Sequence, residues 1–137
     1  MTQNEKDLLM KDLCARLPYG IKILVNDKVE IVQGVNVLDN VIEYDSCLSS
    51  EVEEVKPYLF PLSSMTEEQW IDTPYANLNK FTFDSFKCGC STLAFETYEV
   101  NLSYVAEFIN WCYKNHFDIY GLIPMGLAID ATGLNIY

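Results

Sequence analysis

The sequence predicts a small α+β protein, in which an N-terminal and a C-terminal helix flank a small antiparallel sheet. Two amphipathic segments and a run of alternating residues carry this prediction. Residues 4–17 and 101–116 place apolar side chains at helical spacing. Residues 21–44 alternate apolar and polar side chains, as strands do. With 137 residues, half of them apolar, the chain has the size and composition of a single domain spanning residues 1–137.

The predicted N-terminal helix begins after a capping residue and ends at a helix-breaking pair. Thr2 or Asn4 can cap its start, and Pro18 with Gly20 ends it. We expect one buried apolar stripe along this helix. The stripe consists of Leu9, Met10, Leu13, Cys14 and Leu17.

A meander of strands is predicted next. Residues 21–25 alternate as a strand, and Asn26 and Asp27 form a short turn. The second strand has a glycine, Gly34, in its middle, which suggests a bulge, and residues 41–44 form a third strand. An SH3-like barrel is one arrangement open to this half of the chain. Four residues of the second strand share one parity and are expected to line one face, namely Val29, Ile31, Val35 and Val37.

The middle of the chain is predicted to be less regular. Residues 45–54 are polar and acidic and should form a surface loop, whereas Pro57 and Pro61 indicate an edge strand or an extended segment between them. Ser64 or Thr66 starts a short helix that Pro74 stops by about Asp72. Two further strands are expected at residues 81–86 and 92–100, and a short one at 127–129.

Charge and cysteine usage limit the possible partners and compartment. The chain has 9 basic and 20 acidic residues, for a net charge of −11, which disfavours direct binding to nucleic acid or to an anionic membrane. Five cysteines, an odd number, follow no export signal, and no apolar run is long enough to span a membrane. These features favour the cytoplasm, where thiols stay reduced.

Three segments together resemble a known family. They are residues 16–20 (RLPYG), 56–66 (KPYLFPLSSMT) and 111–123 (WCYKNHFDIYGLI). As a set they are similar to short uncharacterised proteins encoded by gut anaerobes and their phages. That family has no established activity, so the resemblance implies only an accessory cytoplasmic protein, with phage origin as one option. An aliphatic residue is common in the family at the position of Cys112, which implies that Cys112 is not a metal ligand.

Four residues of suitable chemistry raise the question of a zinc site or a thiol enzyme. They are Cys88, Cys90, Cys112 and His116, and a helix would place the last two on one face. The one-residue spacing of the first pair is unusual for zinc, and it also differs from a redox dithiol. Cys112 fits a buried stripe, and the imidazole of His116 suits the last turn of a helix, bonding its carbonyls. We expect no metal and no cofactor.

The sequence favours a non-enzymatic protein that interacts with another protein through an acidic or aromatic surface. Residues 29–55 contain no Lys or Arg and seven acids, which are Glu30, Asp39, Glu43, Asp45, Glu51, Glu53 and Glu54. The candidate surface residues are Glu43, Asp45, Glu51, Glu53, Glu54, Tyr58, Phe60 and Trp70. Two alternatives stay open, namely a divergent small hydrolase or thiol enzyme, and an acidic inhibitor that mimics nucleic acid.

Overall fold

A computed structural model describes residues 1–45, 47–74, 83 and 102–137. The strands predicted at residues 81–86 and 92–100, and Cys88 and Cys90, lie outside these residues, apart from Phe83, which is helical. The described helices are α1 (Gln3–Arg16), α2 (Glu67–Ile71) and α3 (Leu102–Lys114). The described strands are β1 (Lys22–Val25), β2 (Lys28–Asn36), β3 (Val41–Tyr44), β4 (Leu48–Glu51), β5 (Lys56–Pro61), β6 (Phe117–Asp118) and β7 (Ile129–Asp130).

Helix α1 begins and ends where the sequence predicts. The Thr2 hydroxyl accepts from the backbone N–H of Glu5, whose carboxylate accepts in return from the N–H of Thr2. A 3₁₀ turn, Leu17–Tyr19, follows the helix, and Gly20 ends it with a φ of +69°. The predicted stripe needs one correction, because Cys14 is exposed. Its place in the interior is taken by charged residues of α1, which are described with the candidate site.

Strands β1 to β4 form an antiparallel meander. Asn26 and Asp27 both have positive φ, as a tight hairpin turn requires. The expectation of a surface loop over residues 45–54 was wrong. That segment contains β4 and a 3₁₀ turn, Val52–Glu54. The polar strand β4 can bury the side chain of Ser50 because its hydroxyl forms a hydrogen bond of 2.9 Å with the hydroxyl of Tyr44.

A bulge in β2 overturns the predicted buried face of this strand. The pairing with β3 shifts between Val32 and Gly34, so the side chains change faces at that point. Before the bulge Val32 is buried and Ile31 is 50% exposed, whereas after it Val35 is half-buried. Val29 and Ile31 therefore lie on the opposite face from Val35, although all three share one parity in the sequence.

Strand β5 is paired on both edges, which corrects the predicted edge strand. It pairs with β1 in antiparallel fashion and with β6 and β7 in parallel. The N–H of Phe60 donates to the carbonyl of His116, and the carbonyl of Leu59 accepts from the N–H of Ala131. These two groups belong to one trans peptide and point in opposite directions, so β6 and β7 lie on opposite edges.

The protein has an α+β fold built on a mixed sheet of strand order β4-β3-β2-β1-β5-β6, with β7 also on β5. Among the described strands β4 pairs with β3 alone, and the SH3-like arrangement of the first half stays a prediction. None of the described helices has the length and apolar character that crossing a membrane requires.

Two hydrophobic cores lie on opposite faces of β5, because Leu59 belongs to one and its neighbour Phe60 packs against the other. The first core joins α1 to the meander, and includes Leu9, Leu13, Ile21, Ile23, Val25, Val32, Ile42, Leu59 and Leu122. The second contains Met65, Trp70, Phe108, Cys112 and Phe117. Phe108 is buried, whereas Leu17, Val105 and Ile109 are only half-buried.

Candidate functional site

The acidic candidates on β3 and β4 lie on the sheet face that points away from the first core. Glu43 is exposed, while its neighbours Ile42 and Tyr44 are buried on the other face. Across the ladder Glu43 is paired with Gly34 on one side and with Ser49 on the other. We call this surface, with Glu43, Asp45, Ser49 and Glu51, the outer acidic face.

Gly34 allows the carboxylate of Glu43 to lie against the sheet at the β2 bulge. A Cβ atom at Gly34 would stand 2.5 Å from Oε2 of Glu43, too close for the present position of that side chain. The glycine predicted to mark a bulge thus also determines where one carboxylate of the outer acidic face lies.

A shallow cleft of about 320 Å³ opens on this face. Its lining combines two carboxylates with small or neutral groups and one exposed leucine, and consists of Gln33, Glu43, Asp45, Cys47, Leu48 and Ser49. The lining contains no basic side chain. A cationic group entering the cleft would therefore meet only negative charge and neutral hydrogen-bonding partners.

Glu53 and Glu54 are engaged within the protein, although both were candidates for the surface. Glu53 lies 2.5 Å from Nζ of Lys6, and this hydrogen bond holds its pKa below the usual value. The carboxylate of Glu54 accepts from the backbone N–H of Glu51 at 3.3 Å, and Glu51 accepts in turn from the N–H of Glu54. These two residues stabilise the 3₁₀ turn and its contact with α1.

The aromatic candidates do not form an exposed surface. Tyr58 and Trp70 are buried, and Phe60 is half-buried, with its ring 6.1 Å from Phe117 and 5.9 Å from Tyr137. The proline-flanked segment became a central strand, and its aromatic side chains therefore contribute to the interior. Of the eight candidate surface residues, Glu43, Asp45 and Glu51 lie together on one open face, where the carboxylate of Glu51 also accepts from the N–H of Glu54.

The expected helical face shared by Cys112 and His116 is not present. Helix α3 ends at Lys114, and His116 follows with a φ of +63°, so the two residues are not stacked one turn apart. The backbone N–H of His116 donates to the carbonyl of Tyr113, whereas Nδ1 of its imidazole has no hydrogen-bond partner among the described residues. In the described part of the chain, no three Cys, His, Asp or Glu side chains are grouped as metal ligands would be.

The Cys112 thiol and the His116 imidazole are both in environments that disfavour their charged forms. Burial raises the pKa of Cys112 to about 12, so the thiol is protonated at neutral pH. Burial, and then the nearby cations Arg16 and Lys22, lower the pKa of His116 to about 4. The ring of His116 stacks on Tyr137 with centroids 3.8 Å apart.

A buried ion pair in α1 was not predicted from the sequence. Asp12 and Arg16 have no exposed surface, and the guanidinium donates to the carboxylate at 2.7 Å and 2.9 Å. Arg16 also donates to the carbonyl of Phe117 at 2.7 Å, and its guanidinium lies 5.0 Å from the centroid of the Tyr113 ring. The pair therefore ties α1 to both α3 and β6. The available signal was the spacing of residues 9, 12, 13 and 16, which is that of a buried helical face.

A second cleft, of about 520 Å³, lies where the end of α2 meets α3. The indole N–H of Trp111 donates to the carboxylate of Asp72 at 2.9 Å along its wall. Its other charged lining residues are Glu107 and Lys114, so both signs of charge are present. The lining of this cleft therefore differs from that of the cleft on the outer acidic face, which contains no basic side chain.

Comparisons of the chain with protein-family models, with curated proteins and with solved structures each found no match. The resemblance noted from the sequence therefore stays a prediction.

Proposed function

We propose that this protein is a non-enzymatic, cytoplasmic interaction protein that binds a basic segment of another protein through its outer acidic face. The observation that carries the proposal is the cleft beside Glu43 and Asp45, which is lined by two carboxylates and no base. The resemblance of three segments to a family of short proteins fits the same proposal, since that resemblance implies an accessory protein.

Electrostatics supports a basic partner at two distances. The net charge of −11 attracts a cationic protein before contact, and this attraction weakens as salt shortens the Debye length from about 10 Å at 0.1 M to about 3 Å at 1 M. At contact, a lysine or arginine placed in the cleft would meet Glu43 and Asp45 directly. Each such pair in a water-exposed setting contributes about 1 kcal/mol at 4 Å.

The environments of Cys14 and Cys112 favour this proposal over a thiol enzyme that uses either of these residues. Cys112 is buried with a raised pKa, and burial also raises the pKa of Cys14. A nucleophilic cysteine needs the opposite, a thiolate stabilised by nearby positive charge. His116, the only histidine, is mostly buried and is held neutral.

A binding measurement with paired charge variants tests the proposal. The probe is a fluorescein-labelled, lysine-rich peptide, and the variant is Glu43→Gln with Asp45→Asn. The matched control is Glu67→Gln with Glu68→Gln. These two carboxylates are exposed on α2, and their replacement removes the same amount of charge. We expect the first pair to weaken binding roughly five- to thirtyfold at 0.1 M salt.

Two results would contradict the proposal. If the two pairs of substitutions weaken peptide binding equally, the effect comes from net charge and no specific face is involved. If the wild-type protein does not bind the peptide at any salt concentration, the outer acidic face is only solubilising. A nucleic-acid mimic would be shown instead if a DNA-binding protein were captured and released by competing DNA.

A further inference from the structure

Strand β4 forms an edge of the sheet in the described part of the chain, since it pairs with β3 alone. One hydrogen bond shows which residues of β4 direct their backbone groups toward β3. The N–H of Val52 donates to the carbonyl of Asn40 at 2.9 Å, so these two residues form a hydrogen-bonded pair. In an antiparallel ladder hydrogen-bonded pairs alternate with non-bonded ones, so Ile42 and Ser50 form the next hydrogen-bonded pair. Ser49 lies one position beyond Ser50, in the non-bonded pair with Glu43, so its N–H and carbonyl point away from β3.

Ser49 is the position at which the edge offers both a backbone donor and a backbone acceptor. The backbone groups of Glu51 also point away from β3, but its N–H already donates to the carboxylate of Glu54. An edge with outward N–H and C=O groups is a template for another extended segment.

The side chains beside this edge differ between the two faces of the sheet. On the outer acidic face, Glu43 is paired with Ser49, and Asp45 lies in the same cleft. Leu48 also lines the cleft, but it is paired with the buried Tyr44, so its side chain belongs to the other face of the sheet, where it is 54% exposed. An added strand would therefore meet carboxylates on one face and an apolar side chain on the other.

We infer that the basic partner binds by adding an extended strand to the edge of β4, with its basic side chains toward Glu43 and Asp45 and its apolar side chains toward Leu48. This inference rests on the proposed function and specifies how the same surface recognises its partner. Alternating basic and apolar residues match the period of two along a strand.

Charge selects a basic strand over a second copy of this chain. A second β4 would bring its own Glu51 and the neighbouring Glu43 against the same carboxylates. Like charges placed opposite one another destabilise a strand pair, and each whole chain carries a net charge of −11. The edge is therefore unfavourable for self-pairing and favourable for a cationic segment.

Backbone methylation of the peptide separates strand addition from charge attraction. The probe is a peptide of about eight residues in which Lys and Val alternate. The comparison peptide has the same sequence, and every second backbone amide, the set that would face β4, is N-methylated. Methylation removes backbone donors and keeps every charge. We expect roughly tenfold weaker binding of the methylated peptide, and slower hydrogen–deuterium exchange at the Ser49 amide with the unmethylated one.

A protein variant tests the same contact from the other side. Ser49→Pro removes the outward N–H without removing a bond to β3, whereas the control Ser49→Ala retains it. We expect Ser49→Pro to bind the unmethylated peptide at least threefold more weakly than Ser49→Ala does.

The outcomes separate this inference from the proposed function. Equal affinity of the two peptides, with no protection of the Ser49 amide, would overturn strand addition while leaving the acidic face as a binding surface. Failure of both peptides to bind would contradict the proposed function as well. Concentration-dependent dimers in sedimentation equilibrium that Ser49→Pro abolishes would show that a second copy occupies the edge, and would overturn the inference.

Discussion

Replacing Asp12 by alanine should destabilise the protein by about 3–5 kcal/mol, because it leaves a buried guanidinium without its counter-charge. Asp12 accepts both the Nε and one Nη hydrogen bond of Arg16, at 2.7 Å and 2.9 Å. Without it, Arg16 keeps the carbonyl of Phe117 and the ring of Tyr113. An arginine does not lose its proton in a protein, so the charge stays buried and unpaired.

The reverse change, Arg16→Met, should behave differently because a carboxylic acid can take up a proton. Burial already raises the pKa of Asp12 despite the opposing effect of Arg16, and removal of Arg16 should raise it further. A folded-state pKa above the unfolded one favours the folded protein at low pH. The stability of Arg16→Met should therefore fall as the pH rises through that raised pKa.

The double variant Asp12→Leu with Arg16→Met completes the test. It removes both charges at once, and should be more stable than Asp12→Ala, since apolar replacements of a buried pair are often nearly neutral. Urea unfolding followed by tryptophan fluorescence and circular dichroism measures each free energy of unfolding. A loss below about 1 kcal/mol for Asp12→Ala, or a double variant no more stable than Asp12→Ala, would refute this reasoning.

Three further predictions concern the second core, acid sensitivity and metal content. Phe108→Ala should lower the free energy of unfolding by about 3–5 kcal/mol, and Val105→Ala, at a half-buried position, by clearly less; equal losses would contradict the packing of α3. Because the folded-state pKa of His116 is lowered to about 4, the stability of the protein should fall as the pH drops from about 6.5 toward 4. His116→Asn should lose less stability over this range, as measured by urea midpoints, and a pH dependence equal to that of the wild type would contradict this role of His116. Elemental analysis should find no stoichiometric zinc and chelators should not shift the thermal melt, whereas one equivalent with a chelator-sensitive melt would establish a metal site.

The sequence by itself determined the helices and the first three strands of the meander because local signals agree there. The Thr2 cap and Gly20 set the limits of α1, and the positive-φ pair Asn26 and Asp27 closes the first hairpin. Thr66 likewise starts α2 with a capping box. Capping and turn chemistry involve residues three or four apart, so these signals can be read without knowing the rest of the fold.

The candidate site was only partly predictable. The absence of Lys and Arg over residues 29–55 identified the acidic segment, and Glu43, Asp45 and Glu51 do lie on one open face. The sequence pattern did not show that Tyr58 and Trp70 are buried. Burial of an aromatic side chain depends on which distant segments pack against it.

The tertiary structure alone decided which side chains face inward in three places. The bulge at Gly34 reverses the faces of β2, so a constant parity in the sequence does not correspond to a constant face. Strand β5 becomes central because β1, β6 and β7 all pair with it. Arg16 is buried because its hydrogen-bond partner, the carbonyl of Phe117, lies about a hundred residues away in the chain. Each of these depends on contacts between residues far apart in the sequence, and periodicity within a segment carries no information about them.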